Sequence, residues 1–174
     1  MKKVAIFGKP GSGKSSIAKK LASCTNIPLH LLDTLAYTKD GRLVAAETFK
    51  QSHDVILQSD SWIIDGLGPI NCFHERIAAA DTLIYIDLPY PTCYWFVFKR
   101  MIKGLWEAPL GWPAGSSVLK GSIQSFKTLR LCPKFWNEDF KKRIMNLSDS
   151  KSIHIISSTA ELDRFLSDTK LKSE

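Results

Sequence analysis

The chain has 174 residues, the length of a single domain able to bury its own core. Its 44% hydrophobic and 24% charged residues are the balance of a soluble globular protein, which argues against disordered, collagenous and membrane-embedded classes. The net charge of +7 is carried by one stretch, residues 99–143, where ten Lys and Arg stand against three acids.

The apolar run Val4-Ala5-Ile6-Phe7 predicts a buried strand over Lys3–Phe7. It ends at Gly8, too soon for the hydrophobic stretch of a secretory leader. Directly after it stands Gly8-Lys9-Pro10-Gly11-Ser12-Gly13-Lys14-Ser15, a full match to the phosphate-binding pattern G-x-x-x-x-G-K-S/T. Ser16 opens a run with Ile17, Ala18, Leu21 and Ala22 on one face, which predicts a helix over Lys14–Ser23. Strand, glycine-rich loop and helix together aim backbone N–H groups and a positive helix end at phosphate oxygens. Residues Gly8 to Ser16 are therefore expected to bind a nucleoside triphosphate, with Lys14 neutralising the outer phosphates and Ser15 ligating Mg²⁺.

Further strands are expected over Leu29–Leu32, Ser61–Ile64, Thr82–Ile86 and Ser152–Ile156, all short and mostly continuous apolar runs. Helices are expected over Ala46–Ser59, Asn71–Ala80, Pro91–Lys103, Leu119–Leu131, Lys134–Leu147 and Thr159–Asp168. The last carries a capping box, Ser158-x-x-Glu161, ahead of Leu162, Phe165 and Leu166. This alternation implies a three-layer α/β domain with a parallel sheet. Between Gly104 and Pro133 the rhythm breaks into a Gly- and Pro-rich excursion holding Trp106 and Trp112, the pattern of a functional loop.

Two acids follow predicted strands. Asp65, in Trp62-Ile63-Ile64-Asp65-Gly66, occupies the usual place of the aspartate that holds magnesium and completes a metal site with Ser15. Asp33, after Leu29-His30-Leu31-Leu32, would face the ligand crevice at the carboxyl end of the second strand and orient, deprotonate or simply bind an acceptor hydroxyl. Asp65-Gly66-Leu67-Gly68 also spells the D-x-x-G of a GTPase, but no N-K-x-D base-recognition element follows. The basic stretch reads either as a lid over polyphosphate or as a nucleic-acid patch. The lid explains its position as well as its sign, and no helix-turn-helix or aromatic RNA-binding signature is visible, which argues against a nucleic-acid partner. The four cysteines and four histidines are widely spaced and include no C-x-x-C pair, so a reduced cytoplasmic setting is expected and a metal cluster is not.

Taken in order, these motifs resemble the adenylate kinase-like group of P-loop kinases. Within it they resemble the family of FlaR-like, or DNA topology modulation, proteins. The residues that carry the likeness are the phosphate loop, Ile27-Pro28-Leu29-His30-Leu31-Leu32-Asp33 and Trp62 to Gly66, followed by Arg76 with Ala80-Asp81, Asp87-Leu88-Pro89, and the basic helix end Lys99-Arg100 with Lys103. The resemblance covers about the first hundred residues. It implies a P-loop NTPase fold, a five-stranded parallel sheet of order 2-3-1-4-5 with a helical lid insertion. It also implies a single domain over 1–174, an acceptor-binding excursion over residues 37–60, and a lid over 100–135. By the same resemblance Arg100, then Lys103, would bridge the phosphates, Arg76 would hold the acceptor, and adenine would rest near Arg100 and Ser157–Ala160.

Departures narrow the acceptor. Asp65-Gly66 continues as Leu67-Gly68-Pro69 without the arginine with which adenylate kinases grip AMP. Asp33-Thr34-Leu35 lacks the second aspartate of the shikimate kinase D-x-D, and no R-x-x-G-G-G is present. The expected activity is ATP-dependent phosphoryl transfer to a small molecule, a nucleotide or nucleoside among the candidates. A nucleotide-binding regulatory protein and a simple ATPase remain as alternatives.

Overall fold

A computed structural model describes residues 1–36, 38, 42–104 and 118–171. Five strands, β1 (Lys3–Gly8), β2 (Leu29–Leu31), β3 (Trp62–Asp65), β4 (Thr82–Ile86) and β5 (Ser152–Ile156), form one sheet. Their order is β2-β3-β1-β4-β5 and every pairing is parallel. The three central strands are buried along their whole length, β1 from Val4 onward, because helices cover both faces. The edge strands β2 and β5 are only half-buried for most of theirs.

The helices are α1 (Lys14–Thr25), α2 (Leu32–Leu35), α3 (Ala46–Gln58), α4 (Ile70–Ala79), α5 (Tyr90–Lys103), α6 (Val118–Leu131), α7 (Glu138–Met145) and α8 (Thr159–Leu171). Helix α1 lies against β1, β2 and β3 and meets α8. Phe7 and Tyr85, partners in register on β1 and β4, anchor an aromatic cluster with Phe73 of α4, Trp136 and Phe140 of α7. Phe7 stacks on Tyr85 at 5.5 Å and meets Phe73 edge-on at 5.4 Å. Such pairs add about 0.5–1.5 kcal/mol each beyond the burial of their area.

Two expectations change. The helix anticipated over Lys134–Leu147 begins only at Glu138, because Phe135 and Trp136 turn into the core and Asn137 caps the start, its side chain accepting from Phe140 N at 2.9 Å. Asp33 does not end a strand. Strand β2 stops at Leu31 and the chain coils at once into α2, with the Thr34 hydroxyl donating to Leu31 O at 2.7 Å. The capping box of α8 is present: Glu161 N donates to Ser158 Oγ at 3.2 Å, and the Glu161 carboxylate accepts from Ser157 N at 2.7 Å.

The strand order creates the site. After β1 the chain crosses toward β2 at one edge of the sheet, and after β4 it crosses to β5 at the other. These connections diverge from the adjacent strands β1 and β4 and leave a crevice at the carboxyl end of the sheet, the place where open α/β sheets bind ligands. Ile6 of β1 lies in register with Asp65, so the phosphate-loop sequence and this carboxylate share that crevice. No helix among the described residues is long and apolar enough to cross a membrane.

Candidate functional site

The loop between β1 and α1 depends on its glycines. Gly11 has φ +73°, and a Cβ there would lie 2.5 Å from Cys93 O and 2.7 Å from Val97 Cγ2, so the loop is pressed onto α5. Gly13, the N-cap of α1 at φ +84°, is different: a Cβ there would meet nothing within 4 Å. Open space therefore fronts the start of the helix, where the N–H groups of a first turn lack internal partners. Ser16 N and Ile17 N fold back onto Gly13 O at 3.1 and 3.2 Å and close the helix behind that space.

Lys9 behaves unlike a phosphate ligand. Its side chain is 3% exposed, ion-paired with Asp87 and held 4.9 Å from the centre of the Tyr90 ring. Tyr85 donates to the same Asp87 oxygen at 3.1 Å. Lys9 therefore ties the loop to the end of β4, while its carbonyl accepts from Lys14 Nζ at 2.7 Å. Ser12 is fully buried and Ser16 is exposed. Nothing local in the sequence places Asp87, Tyr90 and the α5 floor beside the loop, although Asp87-Leu88-Pro89 stands out as a motif.

Beside the loop, Ser15 Oγ donates to Asp65 Oδ2 at 2.6 Å, and Asp65 Oδ1 is buried without a hydrogen-bond partner among the described residues. Burial pushes the Asp65 carboxyl above its ordinary range, while Lys14 and the Ser15 hydroxyl pull the other way. Burial likewise lowers the Lys14 ammonium, with Asp65 and Asp33 opposing that shift and Arg100 adding to it. A hydroxyl and a carboxylate with an unpartnered inward oxygen are hard donors, a fit for Mg²⁺ bound partly through water.

Asp33 and Arg100 act electrostatically on Lys14. The guanidinium of Arg100 is lowered by burial and held up by the Asp33 carboxylate. Arg100 Nη2 also donates to Ser125 Oγ at 2.7 Å, which links α5 to α6, and Tyr94 stacks on Phe126 at 5.9 Å across the same pair of helices. Lys103 lies on the exposed last turn of α5. Of the two excursions, Tyr37 and residues 39–41 of the first lie outside the described residues. So do residues 105–117 of the second, with Trp106 and Trp112.

Arg76 does not stand in the crevice. It is fully buried in α4, and its Nη2 donates to Gly66 O at 2.8 Å and Leu67 O at 3.0 Å. Burial lowers its guanidinium to about 10, with Asp65 among the groups that oppose the shift. Its work is to hold the turn that follows Asp65. The physical reason is local: Gly66 and Gly68 take φ +118° and +63°, which turns those carbonyls toward α4.

A five-stranded parallel sheet in this order, with a glycine-rich loop leading into the first helix, is the fold of small P-loop kinases. The chain is similar to shikimate kinase from Acinetobacter baumannii solved with shikimate, at a TM-score of 0.54 and 12% identity over 97% of this chain and 94% of that one. Shikimate kinase from Bacteroides thetaiotaomicron matches at 0.53 and 12% identity over 97% and 96%. A sugar kinase from a Janibacter species matches at 0.47 and 13% identity over 98% and 90%. At these identities the likeness is one of fold. No family model and no curated protein matches the sequence.

Proposed function

We propose that this chain is an ATP-dependent phosphotransferase acting on a small-molecule acceptor. The observation that carries the reading is the hydrogen bond from Ser15 to Asp65 beside Lys14 and the open space at Gly13, with Asp33 and Arg100 acting electrostatically on Lys14. ATP·Mg²⁺ supplies the transferable phosphoryl group and the charge that polarises it. In this reading Ser15 and Asp65 hold the metal, and Lys14 leaves the Lys9 carbonyl for a phosphate oxygen. Arg100 offers its guanidinium to charge developing during transfer, as a preorganised donor. Asp33 positions the acceptor hydroxyl. Phosphoryl transfer asks little covalent chemistry of a protein, so placement and electrostatics are the main contributions.

The names of the two shikimate kinase neighbours support a small-molecule acceptor, while the missing second aspartate after Asp33 argues against shikimate itself. The FlaR-like order of motifs through Lys103 supports the same P-loop kinase reading. A direct test compares Lys14→Ala with Asp33→Asn. The first should abolish nucleotide binding. The second should retain nucleotide affinity and lose the ADP release that an acceptor stimulates in a screen of nucleosides, nucleotides, sugars and small acids. Unchanged affinity in Lys14→Ala, or full acceptor-stimulated turnover in Asp33→Asn, would refute the corresponding assignment. Hydrolysis that no acceptor stimulates would make the chain a simple ATPase.

A further inference from the structure

The scattered His and Cys residues were expected to form no cluster, yet folding brings His53 of α3 together with Cys72 and Glu75 of α4. One ligand atom from each lies within 4.8 Å of the other two. We propose that these three side chains form a divalent transition-metal site, with zinc the best chemical match, stapling α3 to α4 beneath the turn that follows Asp65.

Three observations point there. His53 is fully buried, and neither Nδ1 nor Nε2 has a hydrogen-bond partner among the described residues. A buried polar group left without a partner is costly, so an imidazole with two of them calls for a ligand. Its Nδ1 lies 3.9 Å from Asp54 Oδ1, beyond hydrogen-bond reach, and its ring stacks on Phe49 at 6.3 Å. Cys72 is likewise buried, so its soft sulfur is offered in a site closed to bulk water. The Glu75 side chain is 41% exposed, so the third ligand sits at the rim and provides a way in.

One imidazole, one thiolate and one carboxylate form a borderline donor set that suits zinc and leaves its fourth position to water. Zn–N and Zn–S bonds of roughly 2.1 and 2.3 Å put tetrahedral ligands roughly 3.4–3.8 Å apart, so the three atoms must close by about 1 Å. Glu75 is free to do so. Its partner Lys50, 3.1 Å away, keeps the Asp54 carboxylate at 2.6 and 2.7 Å. The charged groups that face the site are Lys50 and Asp54 from α3 and Arg76 from α4. Arg76 opposes an incoming cation, but its Nη2 is turned to the carbonyls of Gly66 and Leu67. Ligation releases the Cys72 proton to solvent, and the resulting thiolate offsets one of the two positive charges added.

The place of the staple gives it a consequence. Phe49, one turn before His53, lies under Gly68, where a built Cβ would come within 3.3 Å of its ring. Arg76, one residue beyond Glu75, grips the same turn. A metal joining α3 to α4 therefore braces the segment that carries Asp65, whatever chemistry the crevice performs.

The test strips the full chain with a chelator, in a Cys24→Ser background that removes the partly exposed thiol, and titrates it with Co²⁺. We expect one equivalent to bind with a thiolate-to-cobalt charge-transfer band, and one equivalent of Zn²⁺ to displace it and raise Tm. Cobalt at Ser15 and Asp65 carries no such band, which separates the two sites. Cys72→Ser should lose the band, and Glu75→Gln, a change at the rim that spares the fold, should weaken Zn²⁺ binding at least tenfold. Absence of the band in the folded protein would overturn the proposal. So would Zn²⁺ affinity in Glu75→Gln equal to that of the unaltered chain.

Discussion

Gly11 and Gly13 sit two residues apart in one loop, both at positive φ, yet replacing them with alanine should give opposite results. At either position a Cβ costs about 1–2 kcal/mol for the left-handed backbone. At Gly11 it would also stand 2.5 Å from Cys93 O and 2.7 Å from Val97 Cγ2. The first of these is helix backbone and cannot swing aside, so overpacking adds about 1–3 kcal/mol. Gly11→Ala should therefore lose about 2–5 kcal/mol, or about 4–20 °C in Tm for a chain of this size. At Gly13 the new methyl meets nothing, so the loss should stay near 1–2 kcal/mol, about 2–8 °C. That methyl nevertheless projects into the space proposed for phosphate. Gly13→Ala should weaken ATP binding at least tenfold, measured by calorimetric titration beside a thermal melt. Equal Tm losses in the two variants would refute the packing argument. ATP affinity preserved in Gly13→Ala would refute the assignment of that space to phosphate.

Phe73, buried among Phe7, Trp136 and Phe140, should cost about 3–5 kcal/mol when cut to alanine, read as a lower urea midpoint; a loss under about 1 kcal/mol would mean the cluster is not well packed. Asp81 should make stability depend on pH. Partial burial pushes its carboxyl up, but the Thr82 hydroxyl and the Lys3 and Lys2 amides outweigh this and hold it below the usual range. A carboxyl lowered by folding stabilises the protein above the unfolded value of about 3.9 and loses that contribution as pH falls through the folded one. Asp81→Asn should accordingly melt below the unaltered protein at pH 7, and the gap should narrow as pH falls below about 4. A gap that does not change with pH would contradict this.

The strands were legible because parallel strands covered on both faces read as unbroken apolar runs, and β4 and β5 fall where those runs predict. The short helix at Asp33 was not, since Leu29-His30-Leu31-Leu32 reads as one apolar run, yet the strand stops at Leu31 and buried Leu32 already opens α2. At the site, the loop, Ser15 and Asp65 could be read from spacing alone. The inward turn of Lys9 could not, because its partner Asp87 lies 78 residues away. Arg76 was legible as a singular arginine but not in its direction, which depends on two carbonyls presented by glycine conformations. The His53 cluster escaped for the same reason: Cys72 and Glu75 share a helix face, but nothing local announces a histidine arriving from α3.

The hydrogen bond from Lys14 to the carbonyl of Lys9 has a kinetic consequence under the proposed reading. A cation berthed on its own loop keeps its rotamer and its neighbours' shape between turnovers, so arriving phosphate trades a neutral acceptor for a charged one without rebuilding the loop. The departing product, in turn, surrenders its grip to a nearby carbonyl rather than to bare solvent. Recharging such a loop should therefore be faster than folding one around each new ligand.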